Sequence, residues 1–311
     1  MIELRQIRET DFNEVAELIF LSTNSWYQQH LGRAAFTGTP ADCLAFCETY
    51  HDLDPEAAIV AENIHSDRIV GSCFVHPRET HLSIGIVNVH PNYFSAGVAG
   101  KMLRAVIKEA DDADLPMRLV SSALNLDSYS LYHRYGFRPY ATFQDMVLEV
   151  PKSGIPSQEL SEAASKVKIR EATPSDLIAM GKLEFEVAGI SRERDYCFFI
   201  ENESGIWHTV IAESADGEPL GFLSSIAAPG VSMIGPGVSQ TEAAAEALLL
   251  SQINQFAGAT AYFLIPVETT SLADAAYRWK ARNCELHFGQ VRGDAQPLAG
   301  VMFPSFLPES A

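Results

Sequence analysis

The sequence predicts an α+β protein in which one fold is built twice, in tandem. Three observations carry this. The chain has 311 residues and 47% hydrophobic content, enough for two domains of ordinary size, each with its own core. A strand-to-helix opening recurs: Ile7-Arg-Glu9, leading to Asp11 and the helical spacing Val15, Leu18, Ile19, returns as Ile169-Arg-Glu171, leading to Asp176, Leu177, Met180 and Leu183. A β-hairpin pattern recurs as well. Ile59-Val-Ala-Glu62 followed by Ile69-Val-Gly71 matches Val210-Ile-Ala-Glu213 followed by Pro219-Leu-Gly221, with Asp67 and Asp216-Gly217 marking the turns. Between the copies, the proline, glycine and serine content from Pro151 to Ser165 reads as a linker. The expected division is 1–150, a linker over 151–166, and 167–311.

In chain order, Met1 to Thr10 alternates apolar and charged residues as a strand does and lacks the apolar core of a signal peptide. The first copy is longer than the second between its opening helix and its hairpin. There Trp26, Tyr27, His30, Phe36, Phe46 and Tyr50 fall among polar residues, and they read either as the lining of a substrate pocket or as helix-face core. In the second copy Thr173-Pro174-Ser-Asp176 is a helix start, with an N-cap, proline at the first helical position and a carboxylate in the first turn.

The stretch from Ile84 to Gly100 joins an apolar strand to a glycine-bearing loop that opens a helix. A helix start leaves its first N–H groups without intrahelical partners and carries the positive end of the dipole, so it attracts an anion without basic side chains. Gly97, Gly100 and the small Ser95, Ala96 and Ala99 would let a bulky diphosphate approach the backbone. Lys101 and Arg104 follow on the first helical turns, as local positive charge or as ordinary solvated residues. A second segment follows: the β-type run Arg118 to Leu124, then Asn125-Leu-Asp-Ser128-Tyr-Ser-Leu131-Tyr132-His-Arg-Tyr-Gly136-Phe137.

Together these segments resemble motifs A and B of the GNAT superfamily, the acetyl-CoA-dependent N-acyltransferases. The family loop Gln/Arg-x-x-Gly-x-Gly/Ala appears as Phe94-Ser-Ala-Gly97-Val-Ala99, and Asn-x-x-Ala-x-x-Leu-Tyr-x-x-x-Gly-Phe departs only at Ser128. The resemblance implies two GNAT-like domains, each a mixed, mostly antiparallel sheet flanked by helices. It implies acetyl-CoA, or another acyl-CoA, as co-substrate, and a primary amine of a small molecule, amino acid or peptide as acceptor, with no metal. Main-chain groups of Val87, Asn88 and Val89 would meet the pantetheine arm and thioester. The loop Phe94, Ser95, Ala96, Gly97, Val98, Ala99 and Gly100 would hold the diphosphate, with Phe94 removing one polar contact. Asn125 would reach the pantetheine amides, or cap a helix. Tyr132 would be the general acid, since a phenol with a reference pKa of about 10 keeps its proton at neutral pH. The base stays open: Glu79 is the weak choice, with His76, His90 and Asp127 beside the same motifs.

The second copy keeps the pattern without these motifs. Its counterpart loop, Ile234-Gly-Pro-Gly237-Val-Ser-Gln-Thr-Glu-Ala243, has glycines before the turn, and Glu242 and Glu246 would compete with a phosphate for the helix dipole. It reads as a degenerate copy that packs or shapes the acceptor site.

A net charge of −18 disfavours nucleic acid and anionic membranes as partners and mildly favours a cationic acceptor. Five scattered cysteines argue against a disulfide framework and for a cytoplasmic location. The rival reading is a non-catalytic acyl-CoA-binding or protein-interaction module.

Overall fold

The computed structural model describes residues 1–228, 230–307 and 309–310. The first half runs β1 (Ile2–Gln6), α1 (Phe12–Leu31), α2 (Leu44–Leu53), β2 (Ile59–Asn63), β3 (Arg68–Pro77), β4 (Leu82–Val89), α3 (Val98–Asp112), β5 (Met117–Ser122), α4 (Leu126–Arg134) and β6 (Arg138–Glu149). The second repeats the order as β7 (Lys168–Glu171), α5 (Leu177–Ala188), α6 (Glu193–Glu201), β8 (Trp207–Glu213), β9 (Pro219–Ala228), β10 (Val231–Ser239), α7 (Glu242–Ile253), β11 (Thr260–Pro266), α8 (Thr270–Arg278) and β12 (Arg282–Arg292). Three short strands close the chain: β13 (Val301–Phe303), β14 (Ser305–Phe306) and β15 (Glu309–Ser310).

Among the described residues thirteen strands form one sheet, in the order β1-β2-β3-β4-β5-β12-β6-β11-β10-β9-β8-β7, with β13 added beside β10. Among the described residues only the β4–β5 and β10–β11 pairs are parallel, so the sheet is mixed and mostly antiparallel. The centre holds an exchange. The last strand of the second half, β12, lies between β5 and β6, and the last strand of the first half, β6, lies between β12 and β11. Each half therefore completes its sheet with a strand of the other.

Period-2 alternation divides β5 between the two faces of the sheet. Met117 and Leu119 face a core with α3, while Val120 joins a core with α1, α2, α5 and α6. A third core surrounds α7, which is apolar on all sides and buried. The halves are also joined by buried charge. The Arg78 guanidinium meets Asp54 at 2.8 Å on both carboxylate oxygens and reaches Asp195 of α6 through Nε at 2.8 Å. Among the described residues no helix is long and apolar enough to cross a membrane.

Candidate active site

β4 and β5 pair only at Leu82 with Met117 and Ser83 with Arg118, then part. From Ile84 to Val89 no described strand pairs with β4 on that side, so its main-chain groups there make no ladder, while the short β15 near the end of the chain lies against both β4 and β5. β4 also carries a bulge: Val87 opposes Cys73 and Ile84 opposes Val75, so Gly85 and Ile86 together face Phe74. Gly85 is required there, because a Cβ would lie 2.7 Å from the Tyr50 hydroxyl and 2.8 Å from its ring. Val87 and Val89 border the gap from the α3 side. Asn88 points the other way, its Nδ2 donating to Ser22 Oγ of α1 at 2.7 Å, while its Oδ1 has no partner.

At the open end the chain turns through Phe94, Ser95, Ala96 and Gly97, all exposed, and enters α3. Ser95 and Gly97 both take left-handed backbone, at φ 64° and 80°. Gly97 caps the helix without a side-chain hydrogen bond, and the first helical bond runs from the Lys101 N–H to the Gly97 carbonyl at 3.0 Å. The N–H groups of Val98, Ala99 and Gly100 precede it, so they are the unpaired donors of this terminus. A Cβ on Gly97 would meet nothing within 4 Å, whereas one on Gly100 would lie 2.8 Å from the Tyr135 hydroxyl. Gly100 is thus buried against Tyr135, whose hydroxyl donates to its carbonyl at 3.2 Å. Lys101 Nζ donates to the Ile2 carbonyl and Arg104 to the Tyr135 hydroxyl at 2.5 Å, so neither side chain is spare.

The second motif folds by local chemistry. Asn125 Oδ1 accepts the Ser128 N–H at 3.0 Å and starts α4 as an N-cap. Gly136, at φ 94°, ends it, and the Phe137 N–H returns to the Tyr132 carbonyl at 3.1 Å. This drops Phe137 into the α3-face core, where Tyr132 lies edge-on against it at 5.9 Å and is half-buried.

Across the gap, on the α1 face, stands a cluster that the motifs do not contain. Glu285 of β12 accepts hydrogen bonds from Tyr27 of α1 at 2.8 Å and from Ser122 of β5 at 2.7 Å. His287 lies 3.6 Å from Glu285 through Nε2 and 3.8 Å from Asp145 of β6 through Nδ1. All three are buried, and Asp145 Oδ1 and His287 Nδ1 have no hydrogen-bond partner. Burial, and then the charge of Glu285, carries the Asp145 carboxyl up to about 8. Burial holds the His287 imidazole down to about 4, and burial beside Glu285 keeps the Tyr27 phenol protonated. α1 reaches both sides: Ser22 touches Asn88 of β4, and Tyr27, about 7.5 Å further along the helix, touches Glu285 of β12. One ligand atom from each of the three residues lies within 4.8 Å of the others, a set that also suits a divalent cation.

The structure does not bring Glu79 to this place. It is exposed in the turn between β3 and β4, at the end of β4 where β5 is still paired. His76 is buried against Asp54 at 2.5 Å and stacked on Tyr50, His90 Nδ1 accepts the Asn92 N–H at 3.2 Å, and Asp127 is exposed in the first turn of α4. Of the opening aromatics, Phe46 and Tyr50 are core, while Trp26 stacks on His30 and Tyr27 reaches the cluster.

In the second half the same gap is filled. β10 and β11 pair only at Met233 with Tyr262 and Ile234 with Phe263, and β13 then pairs with β10 from Gly237 to Ser239 and lies against β11. Gly237 is spent on packing, since its Cβ would lie 2.3 Å from the Phe222 carbonyl. The start of α7 is capped by Thr241, and the cavity beside it, about 340 Å³, is lined by Glu242, Glu246 and Asp274. Glu246 is bound by the Ser161 hydroxyl at 2.6 Å and by Arg278 at 3.2 Å.

A parallel strand pair that parts beside a helix start, in each of two fused halves and with a glycine start in the first, defines the class: a tandem GNAT fold. Residues 22–137 match the Acetyltransferase (GNAT) family. A protein of Pyrococcus horikoshii, provisionally assigned as an acetyltransferase, superposes with a TM-score of 0.71 at 16% identity, covering 99% of this chain and 96% of that one. A GCN5-related N-acetyltransferase from Sphaerobacter thermophilus gives 0.66 at 16% identity over 93% and 95%. A tandem GNAT protein from the clavulanic acid biosynthesis pathway gives 0.59 at 13% identity over 95% and 100%. No curated protein matches the sequence. The family match thus covers residues 22–137, and the solved structures show that the chain as a whole has a tandem GNAT fold.

Proposed function

We propose that the protein moves an acetyl group from acetyl-CoA to a primary amine of a small molecule, amino acid or peptide, at the gap between β4 and β5. The observation that carries this reading is the contrast between the two helix starts: α3 begins at Gly97 with no side-chain cap, and α7 is capped by Thr241 beside Glu242 and Glu246. N–H groups at the start of α3 suit a diphosphate, and the edge of β4 that β5 leaves unladdered, Val87 to Val89, suits the pantetheine and the thioester carbonyl once β15 gives way. Asn125 is engaged as a cap through Oδ1, which leaves its Nδ2 for a pantetheine carbonyl.

The chemistry needs a proton removed on one side of the gap and supplied on the other. Asp145, Glu285 and His287 offer acceptor atoms to the three N–H bonds of an incoming ammonium. Asp145, poised at about 8, takes a proton through Oδ1, while Glu285 is held by Tyr27 and Ser122 and neutral His287 orients the nitrogen. The amine lone pair then forms the new C–N bond, the C–S bond breaks, Tyr132 gives its proton to the departing thiolate from the α3 face, and the second proton shed by the new amide nitrogen returns through solvent to the Tyr132 phenolate. The chain from 1 to 150 supplies the acyl-CoA side, and the half beginning at 167 supplies Glu285 and His287.

The test is a panel of amines with acetyl-CoA, read by release of free thiol, alongside acetyl-CoA affinity. Tyr132→Phe should keep affinity and lower kcat at least tenfold, and Asp145→Asn should lower kcat/KM for the amine while leaving acetyl-CoA binding intact. Binding without turnover on any amine, unchanged by Tyr132→Phe, would leave an acyl-CoA-binding module instead.

A further inference from the structure

Arg118 lies at the closed end of the β4–β5 pair, in register with Ser83, and is 2% exposed. It has no carboxylate partner. One terminal nitrogen donates to the Ala188 carbonyl at 3.0 Å and the guanidinium lies over the Tyr140 ring, 5.3 Å from its centroid, while Nε and the other terminal nitrogen have no hydrogen-bond partner. The buried carboxylates of this region make no ion pair with Arg118. Glu184 is bound through Oε1 by Arg192 at 2.8 Å and by the Tyr196 hydroxyl at 2.5 Å, with Oε2 left without a hydrogen bond, and Asp54 and Asp195 are held by Arg78. Arginine does not shed its proton, so Arg118 keeps a buried charge that Glu184 eases without contact and that leaves two of its donors unbonded, a costly state that an anion from outside the chain would relieve.

There is room for one. Arg118 lines a cavity of about 130 Å³, bounded by Thr80, Pro116, Ile190, Asp294 and Gln296, which joins β5 to the end of α5 and to the chain after β12. Asp294 is exposed and makes no ion pair with Arg118. Its charge disfavours dianions, and the small volume admits only a few heavy atoms.

We propose that this cavity is a binding site for a small monocarboxylate held by the free N–H groups of Arg118. It is separate from the gap where acyl transfer is placed. Ser122, which marks the open end of β5, lies about 13 Å further along the strand.

The experiment uses the full chain and follows thermal unfolding in sodium acetate against sodium chloride at matched pH and ionic strength. Acetate should raise the midpoint by about 2 °C or more at saturation, and phosphate should do so less. Arg118→Met should abolish the acetate-specific rise. Ala295→Leu, which narrows the cavity and keeps the guanidinium, should abolish it as well and covers the case in which Arg118→Met does not fold. Equal midpoints in acetate and chloride would overturn the site. So would an acetate-specific rise that survives in every folded variant, and a larger effect of phosphate would overturn the monoanion class.

Discussion

At the scale of single residues, Asp145 ties chemistry to stability. Its carboxyl is raised to about 8, so between its unfolded value near 3.8 and about 8 the folded state binds more protons than the unfolded chain. Its contribution is therefore present at low pH and is lost as pH rises through that window. His287, lowered to about 4, acts oppositely, but only below its ordinary 6.5, and the buried His76 and His81 are lowered as well. Above pH 6.5 Asp145 is left to act, faced by Glu285, His287 and, more distantly, Arg33. Stability should fall by about 1–2 kcal/mol between pH 6.5 and 8, and Asp145→Asn should flatten that fall in thermal melts recorded across the range. The same ionisation should make kcat/KM for the amine rise toward pH 8. Since the proposed chemistry uses no metal, a strong chelator should leave turnover unchanged, and a loss restored by a divalent ion would reassign the three residues as its ligands. At the loop, Gly97→Ala meets open space but must hold left-handed backbone. It should cost about 1–2 kcal/mol and weaken acetyl-CoA binding, which a titration reads directly.

At the scale of elements, β13 determines how many ligands the molecule takes. Because it occupies the gap between β10 and β11, calorimetric titration should find one acetyl-CoA per chain. Phe303 is fully buried, so Phe303→Ala should cost about 3–5 kcal/mol without creating a second binding event, given the acidic lining at α7. Elements also show what could be read in advance. The glycine-started α3, the Asn125 cap and the Gly136-Phe137 ending were legible because each is set by contacts within a few residues. The acidic cluster was not, because Asp145 and Glu285 lie far apart in sequence and meet only where β6 and β12 pair. One signal was present. Glu285 and His287 alternate with Leu286 and Phe288 in a strand, which places two ionisable groups on the inward face. Glu79 shows the converse, since nearness to a motif in sequence left it at the far end of the strand.

At the scale of the whole molecule, the twofold pattern was visible as a repeat, but the exchange of β6 and β12 was not. Each strand reads the same whether it pairs within its own half or across. The exchange joins the halves through a continuous sheet, and the buried Arg78 network adds to it. Arg78→Ala would leave Asp54 and Asp195 without their shared cation, and it should cost about 3–5 kcal/mol, read as a lower midpoint in a single unfolding transition.

The interleaving also governs how the molecule comes into being. Neither 1–150 nor 167–311 can finish its own sheet, so a ribosome releasing the first half exposes an open edge beside β5 until β12 is made. Maturation waits until residues 282–292 are made, and truncation before them would yield an aggregating fragment rather than a smaller folded protein.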